Sequence, residues 1–82
     1  MNQHLKEAVI LSNRYANARN EKPENHHELT YFAKWTAEAF ALGGDRQEGE
    51  YWEGIYKEHY DHCEYWKYLD SLSDEEIRNL KF

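Results

Sequence analysis

The chain has 82 residues, a net charge of −6, a single cysteine, one proline and four glycines. That length makes one domain, residues 1–82, burying only about 60% of its unfolded surface, and a lone cysteine excludes an internal disulfide. The apolar run near the N-terminus, Ala8 to Leu11, is too short for a signal sequence or a membrane span, so a cytoplasmic protein is expected.

In chain order, the first predicted helix runs from about Asn2 to Asn20. At about 100° per residue, Leu5, Ala8, Val9, Ser12, Tyr15 and Ala16 share one face, with Leu11 at its edge and Ile10 opposite. Pro23 breaks the chain after it. The second helix opens with Asn25 as N-cap and Glu28 three residues on. Leu29, Phe32, Ala33, Thr36, Ala39 and Phe40 line one of its faces; Tyr31, Trp35 and Leu42 line an adjacent one. So wide an apolar arc marks the central helix of a bundle, and Gly43-Gly44 ends it.

The third helix is expected to run unbroken from Arg46 to Ser71, with Gly49 and Gly54 as mild weaknesses. The last is short. Ser73 and Glu76 form a capping box, Leu72 and Ile77 a hydrophobic staple, and Leu80 and Phe82 are its expected docking residues. Asp74, Glu75 and Glu76 in its first turn, with Arg78 and Lys81 at its end, suit the helix dipole. No period-2 alternation is present, so the expected fold is all-α: a small three-helix bundle with a short fourth C-terminal helix.

The charge is distributed unevenly. Residues 1–44 carry five acids and five bases, whereas residues 45–82 carry eleven acids against five bases, so the whole excess lies in the second half. Direct nucleic-acid binding needs a basic footprint and is not expected. A protein partner with a basic surface is expected instead; the plain alternative is that the acidity serves solubility.

Projected on a single helix, residues 50–70 divide in two. Trp52, Ile55, His59 and Trp66 centre an inward arc that extends to Tyr56, Cys63, His62, Tyr51 and Leu69. The opposite arc holds Glu53, Lys57, Glu58, Asp61, Glu64 and Lys67 together with Tyr60, Tyr65 and Tyr68. Tyrosines are frequent interface anchors, so Tyr60, Asp61, Glu64, Tyr65 and Tyr68 are the expected partner contacts.

His59, His62 and Cys63 are spaced to point one way from a helix, with His26 or His27 as a further donor, and such nitrogen and sulfur ligands would suit zinc. No CxxC or HExxH pattern accompanies them, and a buried neutral histidine beside a small buried thiol is the simpler reading. Glu21-x-x-Glu24, Glu50-x-x-Glu53 and Glu58-x-x-Asp61 resemble the paired acids of all-helical nucleotide pyrophosphatases, which hold magnesium between helices. Here the first pair falls on the proline break, and Glu53 and Asp61 point outward. No nucleophile with an orienting partner and no glycine-rich phosphate loop is present.

The expectation is therefore a non-enzymatic, cofactor-free protein-binding module, similar in style to small inhibitor or accessory proteins such as phages carry. The alternatives are a metal-binding protein using His59, His62 and Cys63, or an oligomer, homodimeric for instance, that binds a small molecule or nucleotide between Trp35 and the third helix.

Overall fold

The computed structural model describes residues 2–80 and is helical throughout, with no strand among them. The elements are α1 (Gln3–Glu21), α2 (His26–Leu42), α3 (Arg46–Asp61), α4 (Glu64–Asp70) and α5 (Asp74–Arg78). No helix among the described residues is long and apolar enough to cross a membrane.

The local signals act as the sequence suggests. The Asn2 side chain accepts from the amides of His4 and Leu5, and that of Asn25 accepts from Glu28. Ser73 and Glu76 form a complete capping box. After α2, Gly44 takes a φ of +87°, and the Asp45 amide reaches back to the Phe40 carbonyl at 2.9 Å. This is a Schellman stop, which requires a residue that enters the left-handed region without penalty.

Helix α2 is the axis of the fold. Leu29, Thr30, Ala33, Thr36 and Ala39 along it are buried. The two threonine hydroxyls donate to carbonyls one turn back, to His26 and Phe32 respectively, so neither polar group is left unsatisfied. α1 and α3 both pack on α2 but scarcely on each other. The space between them is bridged by side chains: the Tyr15 ring meets Trp52 edge-on at 5.1 Å, and its other partner is His59. Tyr15, Leu29 and Ala33 form the centre of the core, with Phe32, Trp52, Ile55 and Tyr56 packed around it.

That arrangement corrects the face assigned to α1. Ala8 and Tyr15 are buried, but Val9 is exposed and Ala16 lines the open groove between α1 and α3. The flank of α1 turned toward α3 is simply not covered.

Gly49 is buried where α3 crosses α2, and a methyl group there would stand 3.4 Å from the Ala37 carbonyl oxygen and the Ala41 amide nitrogen, an ordinary contact distance.

The larger correction concerns the third helix, which does not run to Ser71. It ends at Asp61, and the chain turns through His62 and an extended Cys63 before α4 begins. α3 runs antiparallel to α2, with Gly49 beside Ala41 and His59 beside His26. α2 has only 17 residues. A helix from Arg46 to Ser71 would outrun it by about two and a half turns, leaving Trp66 in water.

The break folds that overhang back over the N-terminal end of α2. It forgoes a few helical hydrogen bonds, each worth about 1 kcal/mol net. In return Trp66 falls to 7% exposure and Cys63 is buried. Burying a large aromatic side chain contributes about 1.5–3 kcal/mol, and the Trp66 indole N–H donates to the His27 carbonyl at 3.2 Å. The Lys67 ammonium donates to the Asp61 carbonyl at 2.8 Å, a group the break deprives of its helical partner. Packing and these replacement bonds therefore outweigh helix continuity. Leu80 is half-buried, while Phe82 and Lys81 lie outside the described residues.

Candidate functional site

The five residues expected to make contacts do not share one helix face, because the break separates them. Tyr60 and Asp61 close α3, whereas Glu64, Tyr65 and Tyr68 lie within about 100° of one another on α4. The Tyr60 hydroxyl is already engaged, donating to the Asp70 carboxylate at 2.7 Å. That bond, with a smaller contribution from desolvation, pushes the Tyr60 hydroxyl up to about 12. Glu64, Tyr65 and Tyr68 are exposed, the two tyrosines to 40% and 52%.

Tyr65 belongs to a band of rings that crosses from α4 to α2. Its ring meets His27 edge-on at 4.5 Å; His27 meets Tyr31 at 5.0 Å, and Tyr31 meets Trp35 at 5.2 Å. Trp66 backs the band from beneath, 4.4 Å from Tyr31, and Lys34 Nζ sits 5.3 Å over the Trp66 ring. Trp35 is 44% exposed, and Leu42 continues the same stripe of α2 outward. Glu28, Glu38 and Glu64 border it on the two helices.

Sequence periodicity alone places Tyr31, Trp35 and Leu42 on one face. Their union with Tyr65 is new, since it depends on the direction α4 takes after the break. Trp35 accordingly faces α2 neighbours and solvent, not a cleft against α3. The groove that does exist between α2 and α3 is floored by Ala37, Ala41 and Gly49 and walled by Lys34, Glu38, Glu53 and Tyr56.

The histidines are distributed differently from the expectation. His59 is turned inward, where its Nε2 lies 2.6 Å from the Tyr15 hydroxyl and its Nδ1 lies 3.2 Å from Nδ1 of His26. Desolvation, and next the neighbouring His26, hold His59 below the usual histidine range. His62, placed on the inward arc by the unbroken helix, is exposed at the α3 C-cap. Cys63 is buried at the α4 N-cap, so His26 from α2 takes the place expected of Cys63 beside His59. Among the described residues, no three histidine, cysteine or acidic side chains converge with metal-holding geometry. His27 Nδ1 is buried and has no hydrogen-bond partner among them.

Compared with known proteins, the chain matches no family model, and no curated protein or solved structure is significantly similar to it.

Proposed function

We propose that the protein is a non-enzymatic binding module acting in the cytoplasm, a small inhibitor or accessory protein that covers a basic surface on a protein partner. The observation that carries this reading is the aromatic band of Trp35, Tyr31 and Tyr65, in which Trp35 and Tyr65 are exposed, with Tyr68 exposed beside Tyr65 on α4 and carboxylates at the border. Large rings left half in water on two different helices offer contact area at little cost in side-chain entropy. Carboxylates around them favour arginine and lysine on the partner and speed the encounter. Lys34 resting over Trp66 is an intramolecular instance of a cation held by these same rings. Tyr60 and Asp61 complete the proposed contact set at its edge, although the Tyr60–Asp70 bond gives Tyr60 a structural task as well.

The test is affinity capture from the native host, with partners identified by mass spectrometry and binding then measured with purified components. Changing Trp35, Tyr65 and Tyr68 together to alanine is expected to reduce affinity at least tenfold, with helicity retained, and added salt is expected to weaken wild-type binding. A triple variant that binds as wild type overturns the reading. Self-association through the band would appear as a homodimer in light scattering and would replace the basic partner by a second copy.

A further inference from the structure

We propose that the three long helices share an acid-sensitive latch, the hydrogen-bond chain Tyr15–His59–His26, which accommodates one added proton and opens on the second. The Tyr15 oxygen on α1 lies 2.6 Å from His59 Nε2 on α3, and His59 Nδ1 lies 3.2 Å from His26 Nδ1 on α2. One side chain from each helix thus joins a single chain of bonds, and both ring nitrogens of His59 are engaged in it. The latch rests on different residues from the aromatic band.

A neutral histidine has one N–H and one bare nitrogen, whereas its cation has two N–H groups and no acceptor. The neutral pair therefore satisfies both contacts in either direction. When His26 Nδ1–H donates to His59 Nδ1 and His59 Nε2–H donates to the Tyr15 oxygen, the Nε2 of His26 is bare. A first proton enters there, and no bond of the chain is lost. A second must go to His59 Nδ1, which is the atom accepting from His26. Two N–H groups then face each other between two cations, and the contact breaks.

The surroundings do little to hold that second charge. Arg19 on α1 and His62 at the end of α3 oppose it, as His26 on α2 does, while Glu58 on α3 acts in its favour. Tyr15 offers an uncharged hydroxyl, which burial pushes above the ordinary tyrosine range. His59 is only half-buried, so a cation without a partner for its Nδ1–H turns out to water. Its departure removes the Tyr15–His59 ring contact, one of the few that bridge α1 to α3. α1 is then loosened on its α3 side, while α2 and α3 keep their interface.

NMR titration of the imidazole nitrogens and amide hydrogen exchange, both on the full chain, test this. His26 and His59 are expected to titrate as a coupled pair, in two steps at least about one pH unit apart, the upper one leaving exchange protection unchanged. Protection of the amides around Tyr15 is expected to fall roughly tenfold or more on the lower step, by about pH 5, with that of the α2–α3 hairpin kept. In His26→Gln the facing cation is gone and a side-chain carbonyl is there to accept from His59 Nδ1, so α1 should stay protected through the same range. His59→Gln, uncharged at every pH, should stay protected too, and serves the same test should His26→Gln unfold. The proposal is overturned if the two histidines titrate independently, if α1 stays protected once both are charged, or if the variants lose α1 protection at acid pH as wild type does.

Discussion

The Tyr60 hydroxyl donates to Asp70 Oδ2 at 2.7 Å and thereby ties the end of α4 to the end of α3 across the break at His62 and Cys63. Because the bond needs the proton, the phenol ionises only at about 12. Tyr60 is therefore expected among the last tyrosines to titrate in an absorbance titration, and Asp70→Asn should move that late phase back toward 10. A folded-state value raised above the unfolded one stabilises the protein below pH 10 and ceases to do so as pH climbs through 12.

His59 titrates in the opposite sense. Burial and His26 lower it from 6.5, with Arg19 on α1 and His62 acting in the same direction and Glu58 opposing them. The unfolded chain then binds the proton more readily, so stability is present above 6.5 and is lost as pH falls through that value toward the folded-state one. Urea midpoints in metal-free buffer should fall between about pH 7.5 and pH 5.5, and His59→Asn should flatten the slope. An unchanged slope in that variant would assign the effect elsewhere.

Two glycines separate conformational need from mere tolerance. Gly44 sits at a φ of +87°, so Gly44→Ala is expected to cost about 1 kcal/mol. Gly54 lies within α3, and a methyl group added there would meet no atom within 4 Å, so Gly54→Ala is expected to stabilise by about 0.5–1 kcal/mol. Denaturant unfolding of the two variants should move in opposite directions.

His27 supports the aromatic band at the expense of an unpaired buried nitrogen. Replacing it by phenylalanine keeps a ring between Tyr31 and Tyr65 and removes the unpaired nitrogen. His27→Phe is expected to be neutral or stabilising by about 1 kcal/mol, whereas His27→Ala should destabilise by opening the band. Melting of the two variants checks this directly.

The legible parts of the fold are the local ones. Asn25, Gly44 and the Ser73–Glu76 box act within a turn of themselves, and their roles are visible without knowing what they pack against. The width of the apolar arc on α2 likewise announces its central place. The end of α3 is different, since neither glycine nor proline marks His62 or Cys63. It follows from the length of α2, a neighbour distant in sequence. The pairing of His26 with His59 and the joining of Tyr65 to Tyr31 through His27 depend on interhelical register and on that same break. A single-helix projection therefore puts His62 inside and sets Tyr60 beside Tyr65 and Tyr68.

With α1 and α3 each leaning on α2 and bridged only by side chains, chiefly Tyr15, Trp52 and His59, the architecture is a linear stack and not a closed ring. Support passes along it as through a sandwich with a single filling. α1 could peel away while the α2–α3 hairpin keeps its broad interface, but no injury to α2 would spare either neighbour. The burden of foldedness in these 82 residues thus falls on the seventeen of α2.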